Sequence, residues 1–361
     1  MKKILTSLLL VIALLAGGCS CSSETTLSFG NEWNNSQAAT VGTRETLTYE
    51  VSLSENYSSG DYNFSKSSTL EKIKYDFSGI YTSTLQVLDL LADFPNSDGA
   101  LMDEISQNST NTVYHLRTRL DITAKYNLSG NDADETVYND FVQTDVYFSG
   151  SSLTPVYSCI ESKYSHLIGA DSGYKTNTTH TKKEILYDKT SYVINTIQTE
   201  PEDTTENASE TVNYTYRTAI DNAQLLFALR GFSIKKDNTT SLPVVSPSYG
   251  QTQTLNVKYY DDQEMKINAS KNGGVKEEST LTAKCVSFVL SPSGSGCSGL
   301  MGNTTTGTSQ LVYVQSSVNQ TVTENRALVL RYVSPLSAID GTYSRMGALV
   351  YNLTDYSVVV P

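Results

Sequence analysis

The chain has 361 residues, with 26 Lys and Arg against 38 Asp and Glu, a formal net charge of −12. That balance argues against a nucleic-acid partner, because phosphate binding needs clustered basic side chains. Its 24 Tyr and ample Leu, Val, Ile and Phe can build a core, so the chain is not read as globally disordered.

Residues 1–18 read as a secretion signal. Met1-Lys2-Lys3 is basic, and Ile4 to Ala16 is apolar apart from Thr6 and Ser7. About 13 residues suit a signal core and fall short of the roughly 20 that span a bilayer. Small residues Ala16, Gly17 and Gly18 then precede Cys19. This arrangement resembles the lipobox of bacterial lipoproteins, although Ala16 stands where the commonest form has Leu. The resemblance implies a diacylglycerol on Cys19 and cleavage before it. Two acyl chains anchor stably where one is marginal. The alternative is plain secretion with Cys19 free or disulfide-bonded. Cys21 is the poorer candidate for the lipid. The resemblance places the body outside the cytoplasm, on the outer face of the plasma membrane or on an outer membrane if the source has one.

Residues 19–43 are rich in Ser, Thr, Asn and Gly and read as a flexible tether. Trp33 lies in it, docked on the body or on lipid headgroups, or a lone aromatic in a loose segment. Residues 44–361 read as a single β-rich domain. In "TLTYEVSL", Leu47, Tyr49, Val51 and Leu53 alternate with polar residues. In "LRTRLDITAKYNL", Leu116, Leu120, Ile122, Ala124, Tyr126 and Leu128 share a face. Arg117, Arg119, Asp121, Thr123, Lys125 and Asn127 share the other. That pattern predicts long antiparallel strands covered on one side. Similar runs recur in "VYNDFVQTDVYF", "KKEILYDKTSYVINTI", "TLNVKYYDDQEMKI", "LTAKCVSFVL", "SQLVYVQ", "RALVLRYV" and "GALVYNL". The fold expected is mainly β: a large curled antiparallel sheet, half-barrel-like, with one or two short helices packed on it. One helix is expected in "IDNAQLLFALRGF", capped by Asp221 with Gln224 three residues on and ended by Gly231. "STLQVLDLLADF" fits a helix or a strand. Acidic "EPEDTTENASE" reads as a hairpin tip rather than a link between two halves.

Five cysteines are present. Cys285 and Cys297 flank a strand end and a Gly/Ser turn, a spacing that lets them bridge across a hairpin. The alternative is free thiols. Nothing matches zinc or redox spacing. "GSGCSG" (294–299) has the glycines of a dinucleotide loop, but no helix follows to meet the pyrophosphate. Ser233-Ile234-Lys235-Lys236 fits S-x-x-K but follows the helix end instead of opening a helix. "NDADE" (131–135) and "DDQE" (261–264) lack the glycine of a calcium loop. His115, His166 and His180 are widely spaced. No cofactor, metal or catalytic residue is assigned.

The segments "LTYEVSL", "IDNAQLLFALRGF" and "MGALVYNL" give the body a general likeness to a family of exported bacterial proteins of unknown function. Its look is similar to the half-barrel of lipoprotein carriers. That resemblance implies a concave apolar face and carries over no site residue. The first expectation is a membrane-anchored, non-catalytic binding protein, for an apolar small molecule or, in a variant, a sugar. The second is a structural or adaptor lipoprotein that contacts another envelope protein. The third, least favoured, is an extracellular hydrolase with a dispersed site. A filled interior favours the second, and a large apolar pocket the first.

Overall fold

The computed structural model describes residues 40–89, 112–129, 134–149, 153–170, 173–188, 191–199, 205–213, 220–230, 236–237, 239–246, 251–291, 298–299, 302–303, 310–315, 327–338 and 344–361. The chain opens with β1 (Arg44–Ser54), a small hairpin of β2 (Asn56–Ser59) and β3 (Tyr62–Ser65), and a 3-10 turn (Ser68–Leu70). A meander follows: β4 (Lys74–Asp89), β5 (Thr112–Asn127), β6 (Thr136–Ser149), β7 (Pro155–Ala170), β8 (Gly173–Tyr187), β9 (Ser191–Thr199) and β10 (Thr205–Asn213). Two residues of β11 (Ile220–Asp221) lead into a 3-10 turn (Asn222–Gln224) and helix α1 (Leu225–Leu229). Then come β12 (Thr239–Ser246), β13 (Gln251–Lys271) and β14 (Glu277–Ser291). A minor pair, β15 (Ser298–Gly299) and β16 (Gly302–Asn303), precedes β17 (Gln310–Gln315), β18 (Val329–Ala338) and β19 (Ser344–Val359).

One sheet takes fifteen of these strands, in the order β10-β9-β8-β7-β6-β5-β4-β1-β19-β18-β17-β14-β13-β12-β11. The alternation read from sequence is realised. Leu47, Tyr49 and Val51 on β1 and Leu116, Leu120, Ile122, Ala124 and Tyr126 on β5 are buried together in the main core. Leu128 falls just past the end of β5 and is exposed. Strands of 14 to 16 residues, as in β4 to β7, must twist and coil. "STLQVLD" is the end of β4, so its ambiguity resolves as strand; 90–94 lie outside the described residues. Of "EPEDTTENASE", Thr205–Glu210 pair with β9, Thr205 opposite Thr199, as in a hairpin; 200–204 lie outside the described residues.

The sheet is antiparallel as expected except at two points, where it is parallel. β11 pairs with β12 in parallel. β13 bends at a bulge between Tyr259 and Asp261, and its end pairs in parallel with β19 through Ser270–Asp355 and Lys271–Tyr356. This second contact closes β13, β14, β17, β18 and β19 into a five-stranded ring. An end-to-edge closure depends on where a bulge falls, and a bulge re-aims a strand without altering its composition. The ring strands carry buried side chains on both faces. Tyr57 and Phe64 of the β2–β3 hairpin pack on the second face, and the Tyr57 and Tyr313 hydroxyls lie 3.1 Å apart.

The helix is capped as expected. Asp221 accepts from Ala223 N at 2.7 Å, and Gln224 Oε1 accepts from Asp221 N at 2.8 Å, a reciprocal capping box. Gly231 lies outside the described residues. Asp221 also does what no cap requires. Its carboxylate accepts from Ser158 Oγ on β7 at 2.7 Å and from the Tyr187 hydroxyl on β8. Gln224 Nε2 donates to Leu153 O at 3.1 Å, and Phe227 meets Phe148 of β6 at 5.7 Å. The β11–α1 segment thus lies inside the curl and ties its two halves together.

Burial pushes the Asp221 carboxyl above its ordinary value of 3.8, outweighing the bonds from Tyr187, Ala223 and Ser158 that pull it down. The folded chain therefore holds this proton more tightly than the unfolded chain. The resulting stability is complete below pH 3.8 and is lost as pH rises through the folded value. In denaturant titrations, Asp221→Asn is expected to be less stable than the wild type, with a gap widest in acid and narrower towards neutrality. A gap that widens with rising pH would contradict the burial argument.

β7 is the long strand that alternation along the chain does not single out, and its burial shows why. Its register with β8 is unbroken from Tyr157–Leu186 to Ala170–Gly173. Yet Ser158 is buried on one face, and Ser165 and Leu167 on the other. Pairing of β7 with β6 stops at Phe141–Lys163, and the Asp140 carboxylate then accepts from Ser165 N at 2.6 Å in place of the ladder. Beyond that point the β7–β8 hairpin leaves the plane of β6. Tyr126 donates to Ser165 O at 2.9 Å, and the Tyr174 hydroxyl lies 3.4 Å from Ser344 Oγ on β19. A strand that changes its buried face midway has no single period to read.

Candidate binding surface

The concave face is occupied by the chain's own side chains. Tyr114, Leu116 and Leu120 on β5, Val146 and Phe148 on β6, Val312 on β17 and Tyr351 on β19 each keep 2% or less of their surface accessible. A side chain lining a void wide enough for water would keep more than that. Aromatic rings pack side by side along neighbouring strands of this face: Tyr49 with its cross-strand partner Tyr81, Tyr81 with Tyr351, and Tyr351 with its cross-strand partner Tyr332, at centroid distances of 5.6, 5.7 and 5.0 Å. These positions form packed core rather than the wall of a ligand chamber.

The ordered polar groups sit on the outward face of β5 to β8. Period two turns His115, Arg117, Arg119 and Asp121 away from the core, and the register fixes their neighbours. His115 lies opposite Tyr147, Arg117 opposite Asp145 and Arg119 opposite Gln143. Asp145 is the hub. It bonds His115 Nε2 at 2.7 Å, Arg117 Nε at 2.7 Å and Gln143 Nε2 at 3.2 Å. The His115 ring stacks on Tyr147 at 4.3 Å with planes 2° apart. Arg119 forks onto Asp121 at 2.7–3.0 Å and onto Gln143 Oε1 at 3.0 Å, over the Phe141 ring. The edge continues through His180–Glu161 at 3.1 Å and Lys182–Glu184 at 2.9 Å.

Burial raises the Asp145 carboxyl, but bonds from His115 and Arg117 outweigh it and hold the group below its ordinary range. Asp145 is therefore an anionic pivot, not a proton store. Cys159, its cross-strand neighbour on β7, has its thiol pushed up by burial. It stays protonated at neutral pH, whereas thiol nucleophiles react as thiolates. What the surface offers is a set of polar side chains already held in place. Arg117 and Arg119 remain 54% and 40% exposed while Asp145, beneath them, is 14% exposed. Held side chains lose less entropy on binding.

The expected site residues are placed as follows. Cys19 and Cys297 lie outside the described residues. Cys285 is buried on β14, and burial pushes its thiol up to about 11, against a bond to Tyr313 that lowers it. Asp261 of "DDQE" pairs with Lys236 at 3.0 Å on the surface. No group of three metal-ligating side chains occurs among the described residues. The outward cluster was only half visible in sequence. The alternation set Arg117, Arg119 and Asp121 on one face, but Asp145, Gln143 and Tyr147 join them only through the β5–β6 register.

Comparison with solved structures finds a likeness of distant kind. No family model and no curated protein matches the chain. A crystal structure of a β-barrel-like protein of the domain of unknown function DUF1849, from Brucella abortus, aligns with a TM-score of 0.44 and 8% sequence identity. The alignment covers 89% of this chain and 100% of that one.

Proposed function

We propose that this protein is a lipid-anchored, extracytoplasmic adaptor that recognises another envelope component through the outward face of β5 to β8. The observation that carries this reading is the tight packing of the described side chains on the concave face, which favours a filled interior over a carrier's chamber. Binding then falls to the outside, where His115, Arg117, Arg119, Asp145 and Gln143 are already fixed. The anchor rests on the small-residue run before Cys19, and the acidic chain suits attachment by lipid rather than by charge.

Mass spectrometry of the protein purified in detergent tests the anchor and the interior together. The N-terminal peptide is expected to begin at acylated Cys19, with no further lipid extracted from the folded protein. Cys19→Ser behind a signal peptide that is cleaved without lipidation is expected to release the chain from the membrane fraction. A stoichiometric extractable lipid would restore the carrier reading.

In-cell cross-linking tests the surface. Arg117→Gln with Arg119→Gln is expected to abolish the cross-linked species while the protein stays folded, at a stability loss of about 1–3 kcal/mol because Arg117 bonds the part-buried Asp145 carboxylate. Retention of the cross-link would move the partner site elsewhere.

A further inference from the structure

Four of the exposed large apolar side chains gather at one end of the body. Val275 is 84% exposed, Val359 61%, Val360 42% and Val41 40%. Their proximity follows from the backbone. Val359 pairs with Arg44, three residues after Val41. A Cβ placed on Gly42 would come within 2.7 Å of the Pro361 ring. Val275 sits in the β13–β14 turn, which is bound to β19 through Asn272 N to Tyr356 O at 2.9 Å and Val358 N to Asn272 Oδ1 at 3.3 Å. The other exposed apolar residues, Ile80, Leu128, Val137 and Ile197, stand on β4, past the end of β5, on β6 and on β9.

This is also the end at which the N-terminal segment enters the body. Thr40 is the first described residue, and 21 residues, 19–39, separate it from the start of the anchored chain. A Gly/Ser-type coil of that length has an end-to-end distance of about 25 Å. Such a tether keeps the entry point close to the lipid at a high effective concentration. Charges at this end are mixed: Arg44, Lys271 and Lys276 are exposed beside Glu277 and Glu278, on a chain of net charge −12. An acidic rim would be held off an anionic leaflet, and this one is balanced.

We propose that the end formed by Val41, Val275, Val359 and Val360 rests on the bilayer that carries the anchor. The proposal depends on acylation of Cys19, because so small a patch needs the tether to hold it there. It gives the body a defined pose, with strand ends against the lipid and the outward face of β5 to β8 standing clear of it.

The test uses the full lipidated protein in phosphatidylcholine vesicles containing a phospholipid with a diazirine near the glycerol. After irradiation, adducts are mapped by peptide mass. They are expected to concentrate on peptides holding Val275 and Val359–Val360. Val275→Asp with Val359→Asp should cut them severalfold, with the Cys19 acyl mass and the thermal midpoint unchanged. Adducts spread evenly, or centred on β5 to β8, with Cys19 acylated would overturn the pose and leave the anchor standing. An unacylated N-terminal peptide would overturn both, and the mass of that peptide tells the two failures apart.

Discussion

Gly347→Val is expected to destabilise the fold by about 3 kcal/mol or more, the sum of backbone strain and a clash that cannot relax. Gly347 has φ +112°, a conformation that L side chains rarely adopt. A Cβ there would stand 2.3 Å from Ser54 O and 2.8 Å from Glu55 Cα. Both are backbone atoms of the turn out of β1, so no rotamer change makes room. The position matters because β19 is the seam of the molecule. It pairs with β1 on one side and with β18 and the end of β13 on the other. Gly60→Ala is the matched control. Gly60 has φ +55°, but a Cβ there would meet nothing within 4 Å, so only conformational strain of about 1 kcal/mol is expected. Chemical denaturation of both variants separates the two effects. Equal losses would mean that close approach at Ser54 is not what restricts Gly347.

"MGALVYNL" was legible as a closing strand because Leu349, Tyr351 and Leu353 alternate. The close approach at its glycine was not read from the sequence, because a glycine in a strand marks a bulge, a bend or a close contact alike. The same division runs through the molecule. Local period fixed β1, β5, β6, β13 and β14, and side-chain chemistry fixed the Asp221–Gln224 cap. Both act over a few residues. What could not be read depends on which strand lies beside which. Asp145 gathers His115 and Arg117 only because β6 pairs with β5 in one particular register, and a shift of one residue would turn it into the core. Ring closure by β13 hangs on a single bulge, and β7 hides its strand character by changing its buried face. The anchor was the opposite case. The expectation of an anchor rests entirely on a short linear segment before Cys19, and the folded body neither adds to it nor tests it.

Removing Arg230 alone is expected to cost about 3–5 kcal/mol, because it strands Glu45 inside the fold. The two residues are 5% and 4% exposed. The guanidinium grips the carboxylate at both oxygens, at 2.5 and 3.0 Å, and its Nε donates to Ala327 O at 2.6 Å. Phe227 covers it at 5.5 Å. Each partner is therefore satisfied, and each is costly without the other. Arg230→Met and Glu45→Leu should each be severely destabilising. The double variant should recover most of the loss, since replacing a buried pair by packed apolar groups is often neutral. A strongly non-additive double-mutant cycle would establish the coupling, and simple addition of the two losses would refute it. The pair thus joins the end of α1, whose capping box is tied to β7 and β8, to the start of β1.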